Sequence, residues 1–561
     1  MRNCLKFTLS FLLLFGLLIL CWGVVTASSF RSSSPHVTAA ASAPSPPQGP
    51  GLSTLTYPTD VLTYHYDMSR QGVTSQETIL TPSNVNSSSF GKVSFFSVDG
   101  KVDAQPLYLN TQTDTISGVR ESTLIVVTEH GSVYAFGANS GTQFWRVSAL
   151  GQGETTSDNH GCGQISPEIG ITGTPVIDRQ QGPSGAIYFV AMSKDSSGHY
   201  HQRLHALDLR TGAELFGGPT EITATYPGSG DGSQGGQVIF APGQYAERTG
   251  LLELGGTIYI AFTSHCDQRP YTGWVMGYNS QTLAQTSVLD VTPNGNEGAI
   301  WMAGAGLAAD SQALYFLDGN GTFDTTLNAQ GFPVNGDYGN AFMKISVTGQ
   351  LAVADYFTMY NTVQESGSDE DLGSGGAMIL PDLMDGQGHV HHLAVGAGKD
   401  SNLYVVDRDN MGKFNPNNDN AIYQEIDGVL PGGVWAMPAY FNNTVYYGSV
   451  GSPLKAFSIT NAKLSTSPTG QTATSFTYPG TTPSVSANGI TNGIVWAVEN
   501  TSPAVLHAYD ATNLSHELYN SNQAGSRDQF GPGNKFITPI VVNGKVFVGT
   551  QNGVAVFGLL P

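Results

Sequence analysis

Ala206-Leu-Asp-Leu-Arg-Thr-Gly-Ala-Glu-Leu-Phe216 and, upstream of it, Ala135-Phe-Gly-Ala-Asn-Ser-Gly-Thr-Gln-Phe-Trp145 have the same build. A strand end runs into a turn that closes on Gly, and a large aromatic follows four residues later. Gly tolerates positive φ, so it can close a hairpin into a further strand. The aromatic then has to pack on something outside its own hairpin. Working outward, an opening strand with Pro or Gly near its start recurs eight times. The copies are Ala104–Leu109, Gly173–Asp178, Gly235–Phe240, Gly304–Asp310, Gly375–Leu380, Ala436–Phe441, Thr482–Ala487 and Ile537–Val542. Second strands rich in β-branched and aromatic residues follow several of them, such as Leu124–Thr128, Ala186–Val190, Thr257–Ala261 and Lys545–Gly549.

Repeats of this length, each a small sheet unable to bury both faces alone, imply stacking around an axis. The expectation is an all-β chain: an eight-bladed β-propeller of four-stranded antiparallel blades, closed by N- and C-terminal segments. The last copy stops near Ala555-Val-Phe557 and lacks an outer strand. Val61-Leu-Thr-Tyr64 is the candidate to supply it from the other end of the chain.

Composition agrees. Of the 561 residues only 12% are charged, whereas Gly numbers 69, a balance suited to turns and strands. The net charge of −20 argues against a nucleic-acid partner, which needs clustered Lys and Arg. Arg2 and Lys6 precede an apolar stretch from Phe7 to Val25, and Val25-Thr26-Ala27 resembles a cleavage site. We read 1–27 as a signal peptide, 28–55 as a Ser/Pro/Ala-rich linker and 56–561 as the propeller. The chain is then exported (extracellular, periplasmic or cell-surface), or held at the membrane by an uncleaved N-terminal anchor. In an exported chain the two cysteines outside the signal, Cys162 and Cys266, are expected to form a disulfide.

The segment Ala135 to Trp145 resembles the tryptophan-docking repeat Ala-x-Asp-x-x-Thr-Gly-x-x-x-Trp of quinoprotein alcohol dehydrogenases, with Gly137 for Asp and Ser140 for Thr. Ala206 to Phe216 matches with Phe for Trp. Non-catalytic propellers of the outer-membrane assembly type carry the same repeat, so it speaks for the fold only. Three other segments resemble parts of the dehydrogenase site. Gly298-Ala-Ile-Trp301 with Leu314-Tyr-Phe-Leu-Asp-Gly-Asn320-Gly is similar to the stretch whose Trp stacks on pyrroloquinoline quinone (PQQ) and whose Asn ligates Ca²⁺. The resemblance implies Trp301 as platform and Asn320 as metal ligand. Ser368-Asp-Glu-Asp371 resembles the catalytic acidic segment, with Asp369 as first candidate, also for the metal, and Asp371 as second. Gly398-Lys-Asp-Ser-Asn-Leu-Tyr-Val-Val-Asp-Arg408 resembles the segment whose Lys hydrogen-bonds the quinone, a role that falls to Lys399.

The implied function is a Ca²⁺- and PQQ-dependent alcohol or sugar dehydrogenase. There is no Cys-x-x-Cys-His, so the electrons would leave to a separate acceptor. The family's Ca²⁺-binding Glu is expected near Met192-Ser-Lys194-Asp195, where Lys has the wrong charge. The family's adjacent-cysteine disulfide and the Trp-Asp pair around its catalytic Asp are missing. The alternative is a non-catalytic propeller scaffold binding a protein or cell-surface polymer. Two features lie outside both readings. His389-Val-His391-His392 places imidazoles on one strand face, as a Zn²⁺ or Cu²⁺ site needs, or simply as surface residues do. Gly228–Gly236 reads as a long loop on one propeller face, near the central channel.

Overall fold

The computed structural model describes residues 59–110 and 121–561. The signal and nearly all of the linker expected from the sequence lie outside these residues. The described chain is mostly β, and its sheets are predominantly antiparallel.

Eight sheets share one plan, in which successive strands pair in chain order. The first runs Leu107–Leu109, Thr123–Val127, Ser132–Gly137 and Gln143–Ser148. The fourth runs Ala308–Ala309, Ala313–Leu317, Phe342–Ser346 and Ala352–Phe357. In each, the second strand is buried along most of its length. Both its faces meet neighbouring sheets, so it reads as a continuous apolar run and not as an alternation.

Apolar side chains fill the spaces between consecutive sheets. Ile125 and Trp145 of the first meet Ile187 and Leu207 of the second. Trp496 and Leu506 of the seventh meet Val546 and Phe557 of the eighth. Phe547 and Val556 of the eighth meet Leu124 and Tyr134 of the first. Residues 61–72 thread past the opening strands in turn. Val61 bridges Tyr108, and the carbonyls of Leu62, Met68, Ser69, Gln71 and Gly72 accept from Ile177, Ala309, Ile379, Tyr440 and Val485. Arg70, fully buried, donates to the Leu307 and Leu251 carbonyls, and the Tyr66 hydroxyl accepts from the Val541 amide. This one segment thus touches all eight sheets.

The Gly-closed turn explains the repeat. Gly212 has φ +70°, and a Cβ there would lie 2.9 Å from the Trp145 indole. Trp145 from the first sheet lies on that turn of the second and donates from Nε1 to the Leu209 carbonyl at 3.1 Å. Trp145→Phe leaves that carbonyl without its donor and should cost about 1–2 kcal/mol, read as a lowered midpoint in urea unfolding.

Two sequence expectations are corrected. The strand completing the eighth sheet is Phe90–Ser97, antiparallel to Gly553–Leu559 with Phe90 opposite Leu559. Val61–Tyr64 instead joins the inner edge of the first sheet through Val61. Phe90 wins because it reaches an aromatic nest of Trp496, Tyr519 and Phe557. Gly235–Phe240 does not open the third sheet; Gln237–Ile239 is the middle strand of a small separate sheet. Tyr245–Glu247 and Leu252–Leu254 take the opening place on Thr257–Ser264. The preceding Gly-rich run folds partly into that small sheet and lies against Pro293 and Gly295.

Candidate functional site

Loops that join consecutive sheets, and loops between the second and third strands within single sheets, meet at one cleft, with a cavity of about 270 Å³. Trp301, Asn320, Asp369, Asp371 and Lys399, the five side chains singled out in the sequence, all line it. So does the Cys162–Cys266 disulfide, which ties residues 104 apart with a Cα–Cα distance of 5.6 Å.

Each side chain is set by its local backbone. After Trp301, residues Met302, Ala303 and Gly304 all have positive φ, a tight coil that turns the chain into the fourth sheet. The Trp301 ring lies edge-on to Phe536, with centroids 5.1 Å apart. Asn320 sits in the Asp-Gly-Asn-Gly turn, pinned by the Gly298 amide on the Asn320 carbonyl at 2.6 Å. A short helix, Thr362–Ser368, ends at Asp369 in the left-handed conformation, with its amide on the Glu365 and Ser366 carbonyls. Asp371 precedes the single turn Leu372–Ser374, whose first amide is held by Asn340 Oδ1 at 2.8 Å. The Lys399 amide donates to the Asp371 carbonyl at 2.9 Å. Gly398 permits this approach, because a Cβ would fall 2.4 Å from Leu372 Cα.

The polar atoms form one network. Lys399 Nζ lies 2.7 Å from Asp371 Oδ1 and is also ion-paired with Asp369 Oδ1. Asn320 Nδ2 donates to the same Asp369 oxygen at 2.7 Å, while its buried Oδ1 has no hydrogen-bond partner. The carboxylates differ in exposure: the Asp369 side chain is 68% exposed, that of Asp371 5%. Burial pushes the Asp371 carboxyl above its ordinary range, against the pull of Lys399. Burial disfavours the Lys399 ammonium, yet the two carboxylates outweigh it and hold its pKa above the usual value. Beneath them Asp318, fully buried and close to Asp371, is pushed well up by burial.

Sequence reasoning missed Trp435 and Tyr478, which face each other edge-on at 5.8 Å in the same cleft. Trp435 stands just upstream of an opening strand, as Trp301 does, and that shared placement was the available signal. Lys194 and Asp195 do not line the cleft. Lys194 pairs with Asp158 at 2.7 Å and Tyr200, and Asp195 caps a hairpin.

No family model and no curated protein sequence matches the chain. Solved structures do. The quinohemoprotein alcohol dehydrogenase of Comamonas testosteroni aligns over 89% of this chain and 80% of its own, with TM-score 0.56 and 14% identity. Quinohemoprotein alcohol dehydrogenase ADHIIG of Pseudomonas putida HK5 aligns over 90% and 80%, with TM-score 0.58 and 12% identity. A europium-containing methanol dehydrogenase aligns over 90% and 98%, with TM-score 0.54 and 13% identity. The chain is thus a mostly-β protein with a propeller-like arrangement of sheets. In fold it resembles the quinoprotein alcohol dehydrogenases, as the docking repeat implied.

Proposed function

We propose that the chain is an exported eight-bladed propeller and a PQQ-dependent alcohol or sugar dehydrogenase. The eight serial sheets, the apolar cluster between last and first, and the segment that touches every sheet support a closed ring. The disulfide supports export, since such bonds persist in oxidising compartments. The observation that carries the catalytic reading is the meeting of Trp301, Asn320, Asp369, Asp371 and Lys399 at one cleft.

The residues fit a flat anionic quinone. Trp301 offers an indole, Trp435 and Tyr478 further aromatic wall, and Lys399 a cation at the acidic edge. They do not complete a Ca²⁺ shell, which takes six to eight oxygens. Asn320 Oδ1 is an orphaned acceptor suited to a cation, but Lys399 already holds both nearby carboxylates. Lys194 and Asp195 contribute nothing from the position where the family's Glu is expected. The mechanism is therefore derived without a metal. Bound quinone would supply a two-electron acceptor. Asp371 accepts the hydroxyl proton of the alcohol, its raised pKa making it a stronger base than an exposed carboxylate. Lys399 holds Asp371 in place through Oδ1 and keeps it ionised. The aromatic wall keeps water from the reacting carbon. A separate acceptor takes the electrons onward.

Reconstitution tests this. Purified chain is mixed with PQQ, with and without Ca²⁺, and quinone absorbance and dye reduction with alcohols and aldoses are followed. We expect stoichiometric binding and turnover. Because Asp371 must be ionised, the rate should climb with pH through a range above the ordinary carboxylate value of about 3.9. Neither binding nor turnover under both conditions would overturn the reading in favour of a non-catalytic propeller.

A further inference from the structure

A seven-residue pattern occurs twice, in residues that do not line the cleft: Asp195-Ser-Ser-Gly-His199-Tyr-His201 and Asp385-Gly-Gln-Gly-His389-Val-His391. Both are hairpins, on the second sheet and beside the fifth, and they share the turn bonds and the contact of the Asp with the first His, whereas the second His is hydrogen-bonded to the Asp only in the second hairpin. In each the Asp amide donates to the first His carbonyl at 2.9 Å, and the Gly has φ +87°. One Asp oxygen caps the turn. Asp195 Oδ1 accepts from the Ser197 and His199 amides at 2.8 Å, and Asp385 Oδ1 from Gln387 and His389 at 2.8 and 2.9 Å. These amide bonds hold both carboxyls below the ordinary carboxylate range, so both are ionised at neutral pH.

The second oxygen faces imidazoles. Asp195 Oδ2 lies 3.1 Å from His199 Nδ1 and 3.8 Å from His201 Nε2. Asp385 Oδ2 lies 3.2 Å from His389 Nδ1 and 3.2 Å from His391 Nε2. Turn chemistry accounts for Asp and Gly but not for the histidines. The turn Asp208-Leu-Arg-Thr-Gly212 uses the same Asp cap with none. Residues two apart on a strand share a face, so the His-x-His spacing puts both rings on the side of that oxygen. Ligands of a tetrahedral ion with bonds of 2.0–2.2 Å stand about 3.3–3.6 Å apart. The oxygen–nitrogen separations straddle that edge length in the first hairpin and fall just short of it in the second.

We propose that each hairpin binds one divalent transition-metal ion of the Zn²⁺ or Cu²⁺ class through the Asp carboxylate and the two imidazoles, with water completing the shell. Among the described residues no group of three or more His, Cys, Asp or Glu side chains is arranged to hold a metal ion, so binding requires the rings to turn. All of these imidazoles but His201 hydrogen-bond the carboxylate, and a metal exchanges those bonds for coordination. His199 and His389, 76% and 68% exposed, have room to make that move. In the first hairpin Glu221 holds His201 Nδ1 at 2.9 Å, which leaves Nε2 for the metal. Imidazole donors select this class over Mg²⁺ and Ca²⁺, which take oxygen.

The test is calorimetric titration of the tag-free chain with ZnCl₂, against CaCl₂, in a non-coordinating buffer. Two equivalents of Zn²⁺ are expected, one lost in His199→Ala, one in His389→Ala and both in the double variant, with thermal unfolding unchanged. As a readout on the unaltered protein, Cu²⁺ should give an electron paramagnetic resonance spectrum with two-nitrogen hyperfine structure. Zn²⁺ heat that survives in the double variant, an equal Ca²⁺ response, or a Cu²⁺ spectrum without nitrogen coupling would sink the proposal.

Discussion

Asp371→Asn is expected to lower the rate of dye reduction by the PQQ-loaded chain about 10²–10⁴-fold, the usual worth of a positioned base. Asn keeps the shape of the side chain and can still meet Lys399, but it cannot take the alcohol proton. Quinone absorbance on loading should therefore be retained, which separates a lost base from a lost pocket. Asp369→Asn makes the comparison sharper. Its side chain is 68% exposed and in water's reach, so its loss should change the rate by much less. If Asp371→Asn kept more than about a tenth of the native rate, Asp371 would not be the base.

That the second of two candidate acids is the buried one was not legible in Ser368-Asp-Glu-Asp371. Sequence placed both on one loop. Their difference comes from the backbone: Asp369 caps a helix in the left-handed conformation, whereas Asp371 leads into a turn packed under Gly398. Much else was legible. Seven of the eight opening strands fall where the Pro- and Gly-marked copies put them, for instance Ala439–Phe441 and Ile540–Val542. The third copy misled because Gln237-Val-Ile239 has strand composition but pairs outside the main sheets. The cleft was legible wherever a local motif carried it, as at Asn320 and Lys399. Trp435, Tyr478 and the disulfide loops have no motif of their own. They reach the cleft because stacked sheets bring loops from distant parts of the chain together, and only tertiary packing contains that information.

Lys399→Met should produce the largest loss of stability among single changes at the cleft. The ammonium side chain is 16% exposed and lies on a carboxylate that is 5% exposed. Removing one member of such a pair leaves the other buried without compensation, a cost of about 3–5 kcal/mol. The cost has a definite pH dependence. Burial already raises the Asp371 pKa, and loss of Lys399 takes away the charge that opposes this. A carboxyl whose pKa is higher folded than unfolded favours the native state when protonated. Its contribution is thus intact below the unfolded value of about 3.9 and is lost as pH rises through the folded one. Thermal unfolding of Lys399→Met should accordingly approach that of the native chain in acid and fall away toward neutrality. Adding Asp371→Asn removes the stranded charge as well, and most of the lost stability should return in the double variant. A double variant no more stable than Lys399→Met would mean that the lysine acts by packing its stem and not by neutralising Asp371. The cleft would then owe its shape to contacts other than the ion pair.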